Sequence, residues 1–263
     1  MMRLTSTIRG TPPVAISLPT WVQQEVGAVG THSWRMFFSS CEGGTLQRRS
    51  AWHDLPLRPS AVDASLITFV CEIPKGARAK FELSKTEPYN PIMQDVFKKK
   101  DGRPLRFFKY GDIPFNYGFA PRTWEDPSLL DDETKCNGDG DPLDVVELSA
   151  KQMAVGSIVA VRVLGVLGLI DEEEADWKIV TEAVGPDGCG VYGSLSRVPC
   201  DLKSSIVQWF RMYKTADGAK PNEFAYNGEV CGSDEALRVV ERTSRQYEGL
   251  VADPNPDLGY WLR

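Results

Sequence analysis

Histidine is almost missing from this 263-residue chain, which holds only His32 and His53. Two imidazoles are too few for a histidine-rich zinc site. A Ser-His-Asp hydrolase would have to recruit one of them, and the sequence contains no GxSxG elbow. His53, in Trp52-His53-Asp54, reads as a packed or capping residue, so catalysis here is expected to run without imidazole. Cysteine is equally thin. Cys41, Cys71, Cys136, Cys189, Cys200 and Cys231 are scattered singly with no CxxC, a pattern of reduced thiols in a reducing compartment and not of a disulfide framework. The longest apolar stretch, residues 157–170, is broken by Arg162 and falls short of the ~20 residues that span a bilayer, so no membrane insertion is expected. With 30 basic and 36 acidic residues the net charge is −6, which argues against a general nucleic-acid binder. The sequence shows neither an internal repeat nor a linker.

A hydrophobic content of 42% is enough to bury a sizeable core. Residues 1–24 carry Arg3 and Arg9 and no acid before Glu25, as a mitochondrial presequence would, although Pro12-Pro13 breaks the helix such a peptide forms. Residues 1–30 are therefore expected to be a flexible or targeting segment, and 31–263 a single domain. Ser65-Leu-Ile-Thr-Phe-Val-Cys-Glu-Ile73, Ala79-Lys-Phe-Glu-Leu83, Val145-Val-Glu-Leu148 and residues 157–170 read as strands. Asp201 is expected to cap a helix with Leu202, Ile206, Trp209 and Tyr213 on its apolar stripe. A second helix starts at Ser233 and buries Val239, Val240, Tyr247 and Leu250. This order predicts an α+β fold, a β-barrel core flanked by late helices.

Charge is strongly segregated along the chain. Residues 72–109 carry ten bases against five acids, whereas 125–147 carry nine acids against one base, Lys135. Within the acidic stretch, Asp139-Gly-Asp141-Pro-Leu-Asp144 packs three carboxylates into six residues, which repel one another unless a cation lies among them. It is not an EF-hand loop, because Asp144 stands where that loop requires glycine. A second cluster, Asp171-Glu-Glu-Glu-Ala-Asp176, taken alone reads as a solvated charge run. Two clusters at strand ends together make a cage for hard cations, and oxygen-only donors favour Mg2+ or Mn2+ over zinc. Such ions acidify water and neutralise an anionic substrate, which would explain the cations Lys80, Arg106 and Lys214. The residues by themselves thus reach Mg2+-dependent phosphoryl chemistry.

The Asp139-Gly-Asp141-Pro-Leu-Asp144-Val stretch resembles the signature of the family I soluble inorganic pyrophosphatases. Further stretches match in order: Glu72-Ile-Pro, Asn90-Pro-Ile-Met-Gln-Asp95, Asn116-Tyr-Gly118, Thr123-Trp-Glu-Asp-Pro127, residues 170–178, Trp209-Phe-Arg-Met-Tyr-Lys214 and Phe224-Ala-Tyr-Asn-Gly-Glu229. The pattern is similar to the longer, eukaryotic-type members. The resemblance implies an OB-like five-stranded barrel with flanking helices that hydrolyses inorganic diphosphate with several Mg2+ ions, as a homo-oligomer. Carried over, Asp139, Asp144 and Asp176 would hold the principal metals, Asp171 a further one, and Glu82 an outer position. Asp141 would act as general base on a metal-bridging water. Lys80, Arg106, Tyr213 and Lys214 look like the phosphate grip, with Lys178 and Tyr117 nearby. Glu72 matches another active-site position.

Three positions depart from the family pattern. Ile113 replaces a tyrosine sometimes described as a proton donor, Lys75-Gly76 replace an Arg-Trp used at a dimer contact, and Glu173 replaces a common glycine. The expected location is cytoplasmic, with a mitochondrion or another organelle as the alternative. Two rivals compete with this reading: a Mg2+-dependent hydrolase of longer polyphosphates or nucleotides, and a non-enzymatic cation buffer.

Overall fold

The computed structural model of the chain describes residues 15–97 and 101–262. The proposed presequence features Arg3, Arg9 and Pro12-Pro13 lie outside the described residues. Among the described residues, thirteen strands precede or interleave two long helices. In chain order they are β1 (Trp21–Val26), β2 (Arg35–Glu42), β3 (Thr45–Arg49), β4 (Leu66–Ile73), β5 (Phe81–Leu83), β6 (Ile92–Gln94) and β7 (Asn116–Phe119). Next come β8 (Asn137–Gly138), β9 (Asp144–Glu147), β10 (Ile158–Asp171), β11 (Glu174–Ala183), helix α1 (Cys200–Met212), β12 (Glu223–Phe224), β13 (Cys231–Gly232) and helix α2 (Ser233–Ala252).

Five strands form a closed hydrogen-bonded path. β10 pairs with β4, β4 with β7, β7 with β9, β9 with β11, and β11 returns to β10. Only the β9–β11 pairing in this path is parallel. Strand alternation divides the apolar residues between two clusters. Phe69, Val145, Val161, Trp177 and Ile179 pack with Ala236, Val239 and Val240 of α2. Val70, Val146, Leu164, Leu167 and Val180 pack with Ile206, Trp209 and Phe210 of α1. Neighbours such as Val145 and Val146 thus point to opposite faces, as a period of two requires. A second sheet, ordered β1-β2-β6-β5 with β3 on β2, adjoins this path.

Three sequence expectations need correction. Trp21–Val26, assigned to the flexible or targeting segment, pairs along its whole length with β2. Asp201 does not cap α1. Pro199 occupies the N-cap position, and it makes no side-chain cap bond. The run at 171–176, which taken alone reads as a solvated charge run, is only partly so: Glu172–Glu174 are exposed at the β10–β11 hairpin turn, where Asp171 pairs with Glu174, whereas Asp176 is buried. Glu172 and Glu173 take φ of 53° and 70°, the left-handed pair of a two-residue hairpin turn where glycine is cheapest. Helix α2 begins at Ser233 as expected and buries Val239, Val240, Tyr247 and Leu250. His53 is indeed packed: its ring stacks on Trp52, with Nδ1 2.7 Å from the Tyr247 hydroxyl and Nε2 3.1 Å from the Trp261 carbonyl. Among the described residues, no helix is long and apolar enough to cross a membrane.

Candidate active site

Register brings the first group of side chains together. Asp176 and Lys178 are two residues apart on β11 and therefore share a face, while Trp177 between them points to the opposite cluster. Parallel pairing sets Lys178 beside Asp144 of β9, and β7 lies against the other edge of β9. The result is a chain of contacts: the buried Lys178 ammonium donates to both Asp144 and Asp176, and the Tyr117 hydroxyl donates to Asp144. Burial works against the charge on Lys178, but Asp144 and Asp176 outweigh it and raise its pKa. Tyr117 is raised by burial and by Asp144.

Asp176 also meets carboxylates from two other segments. Oxygens of Glu125, Asp139 and Asp176 all lie within 4.8 Å of one another. Glu125 Oε1 accepts the Trp177 backbone N–H at 3.1 Å, whereas Oε2 is buried with no hydrogen-bond partner among the described residues. Burial first, then repulsion by Asp139 and Asp176, pushes Glu125 well above the carboxylate range. Asp139 rises for the same kind of reason, burial and then Asp141, Asp176 and Asp144. Burial lifts Asp176 to about 8 despite the pull of Lys178. An orphaned buried oxygen within a set of crowded carboxylates is what a site for a hard cation leaves behind when only protein atoms are counted. The donor set is all oxygen, so it fits Mg2+ or Mn2+.

Four cations, Lys80, Lys85, Arg106 and Lys214, line a cavity that Asp139 also borders. Three backbone bonds tie their segments together: Asp95 N–H to Lys80 O at 2.8 Å, Lys80 N–H to Arg106 O at 3.1 Å, and Arg106 N–H to Asp95 O at 2.7 Å. The buried Asp95 accepts from Lys80 Nζ at 3.1 Å and Arg106 Nη1 at 2.6 Å, and Lys80 also reaches Glu82 at 3.2 Å. Just beyond α1, the Tyr213 hydroxyl donates to Asp171 at 2.8 Å, and Lys214 bonds Asp171 and, at 3.0 Å, Glu172. Lys85 pairs with Asp141. Burial opposes the charges of Lys80 and Lys85, yet neighbouring carboxylates raise both. Lys80, Lys85, Arg106 and Lys214 line one cavity of about 540 Å³ together with Asp139 and Asp141.

The residues singled out from sequence thus fall into linked groups, but not into one metal cage. Asp139 and Asp176 converge. Asp144 reaches Asp176 through Lys178, while Asp171 is held by Lys214 and Glu82 by Lys80. Glu72 is buried and accepts the Leu83 N–H at 2.6 Å. Ile113 is a core residue whose backbone pairs with Gly76 and Ala77. Sequence reasoning missed Glu125, Asp95 and Lys85. Glu125 and Asp95 did lie inside matching stretches, Thr123-Trp-Glu-Asp-Pro127 and Asn90-Pro-Ile-Met-Gln-Asp95, which were the available signal.

A buried carboxylate cluster beside a cavity that also holds four cations suits the chemistry of phosphoryl groups. The profile of the inorganic pyrophosphatases matches residues 69–248. Over 239 residues the chain is 38% identical to a mouse inorganic pyrophosphatase, an alignment covering 90% of this chain and 81% of the relative. A solved structure of an N-terminally truncated vacuolar soluble pyrophosphatase from Trypanosoma cruzi, in complex with PPi, superposes with a TM-score of 0.82 at 33% identity. That match covers 96% of this chain and 98% of the other. The type I inorganic pyrophosphatase of Toxoplasma gondii gives 0.80 at 35% identity, covering 88% and 100%. The chain belongs to the family I soluble inorganic pyrophosphatases and is, with that family, an inorganic diphosphatase.

Proposed function

We propose that the chain hydrolyses inorganic diphosphate to two orthophosphates in a Mg2+-dependent reaction in which Asp141 is the general base. The observation that carries this reading is the cluster of Glu125, Asp139 and Asp176, with its unpartnered buried oxygen, beside a cavity walled by Lys80, Arg106 and Lys214. Asp139, Asp176 and Glu125 would hold the ion, with Asp144, Asp171 and Glu82 available to others. Bound there, Mg2+ supplies Lewis acidity that makes water a better proton donor and offsets the charge of diphosphate.

The side chains do the remaining work. Asp141 lines the cavity, held by Lys85, where its carboxylate can take a proton from the attacking water. Lys80, Arg106 and Lys214 trade their present carboxylate partners for phosphate oxygens, and Tyr213 adds a hydroxyl donor. These donors stabilise the charge that builds on the departing phosphate. Lys178 keeps Asp144 and Asp176 from repelling each other, and Tyr117 orients Asp144.

Phosphate release from diphosphate, tripolyphosphate and ATP, each with Mg2+ and with excess chelator, tests the proposal. Diphosphate should be cleaved only with the cation present. Exclusive cleavage of ATP would move the assignment to the nucleotide rival, and cation binding without any phosphate release would favour the buffer. The closed five-strand path supports an OB-like barrel. The homo-oligomer implied by the resemblance is tested by light scattering.

A further inference from the structure

We infer that Tyr260, in the C-terminal tail, is a positioning residue that fixes the loop carrying Asp139 and Asp141. These two aspartates are separated by one residue, so the orientation of the Gly140 peptide decides where both carboxylates point. Three donors converge on the Gly140 carbonyl: Lys85 Nζ at 2.8 Å, the Tyr260 hydroxyl at 2.9 Å and Trp124 Nε1 at 3.1 Å. A carbonyl oxygen ordinarily serves two lone pairs, so a third donor brought in from 120 residues away holds an arrangement that local sequence does not make.

The tail is built to deliver that hydroxyl. Asn255 caps a short turn at 256–258, and Gly259, at φ 62°, reverses the chain. Tyr260 then lies against Trp52 and edge-on to Trp124, with the Lys85 ammonium 5.2 Å from its ring centre. On the next residue, the Trp261 N–H donates to Lys85 O at 2.7 Å, and its carbonyl lies 3.1 Å from His53 Nε2. The loop shows the matching constraint. Gly140 has φ of 78°, and a Cβ added there would meet the Tyr260 oxygen at 2.9 Å. A side chain at 140 would therefore have to adopt a left-handed backbone and displace the Tyr260 hydroxyl. Lys85 completes the device, since the ammonium that bonds the Gly140 carbonyl also pairs with Asp141. The family profile ends at residue 248, short of the tail.

This inference rests on Asp139 as a cation ligand and Asp141 as the base. Tyr260→Phe removes only the hydroxyl and keeps the ring. Expected results are a roughly 3–10-fold fall in kcat, the factor one hydrogen bond is worth, with KM for diphosphate unchanged. Mn2+ binding to the metal-free protein, measured by calorimetry, should weaken by a similar factor. Val163→Ala opens a gap in the core at the middle of β10, outside the tail and the 139–141 loop, and should lower Tm while leaving kcat and Mn2+ affinity alone. Wild-type kcat and Mn2+ affinity in Tyr260→Phe, or equal losses in both variants, would overturn the positioning role. Asp139→Asn with wild-type Mn2+ affinity would instead refute the underlying ligand assignment.

Discussion

Replacing Glu125 by Gln should stabilise the metal-free protein while weakening its response to Mg2+, two effects of opposite sign from one side chain. Carboxylate oxygens of Glu125, Asp139 and Asp176 lie within 4.8 Å of one another. At that distance an ionised pair repels by about 3 kcal/mol with an effective dielectric near 20. Glu125 faces two such neighbours. The native state avoids most of this cost by keeping protons, which is why burial and repulsion raise Glu125 and Asp139 and bring Asp176 to about 8. A group whose folded pKa is raised contributes stability that is complete below its unfolded value near 4 and is lost as pH climbs through the folded value. The metal-free wild type should therefore lose stability between pH 5 and pH 8. Gln keeps the oxygen that accepts the Trp177 N–H and turns the orphaned oxygen into an N–H2 donor facing carboxylates. The expected gain at pH 8 is about 1–3 kcal/mol, or roughly 3–8 °C in Tm, shrinking towards zero at pH 5. Wild type with Mg2+ at 100 times its Kd should gain ~2.7 kcal/mol, and the variant less than half of that. Calorimetric melts at both pH values, with and without Mg2+, give all four numbers. A lower metal-free Tm at pH 8, or an undiminished Mg2+ increment, would refute the reasoning.

Other outcomes follow from the same geometry. Asp141→Asn should cut kcat by roughly 10²–10³-fold while Mn2+ affinity by calorimetry stays near wild type. Lys178→Met leaves Asp144 and Asp176 facing each other without their shared cation, so denaturant melts should show a loss of about 3–5 kcal/mol that added Mg2+ partly restores. Gly140→Ala meets both a left-handed backbone and the Tyr260 oxygen, so kcat should fall with a modest drop in Tm; unchanged kcat would show that the loop tolerates displacement.

Patterns that repeat over a few residues were legible in the sequence. Short runs rich in apolar and β-branched residues in Leu66–Ile73 and Ile158–Asp171 marked strands, and both are buried along most of their length. The helical spacing of Val239, Val240, Tyr247 and Leu250 marked the face of α2 that meets the sheet. Repulsion among Asp139, Asp141 and Asp144 was equally local, so the need for a cation could be argued before any coordinates. The hairpin turn at 172–173 was missed because two glutamates stand where turn residues usually announce themselves.

What the chain determined by itself was therefore the chemical inventory: a dense set of oxygen donors, a set of cations, and almost no imidazole. Tertiary structure alone decided which of them meet. Glu125 joins Asp139 and Asp176 through backbone bonds from its loop to the 139–141 loop and its side chain's bond to the Trp177 N–H, Lys85 reaches Asp141 across the cavity, and Tyr260 reaches Gly140 from the far end of the chain. Charge and periodicity are properties of neighbours in sequence, whereas a carboxylate's partners depend on which segments the core brings within a few ångströms, and no local pattern encodes that distance.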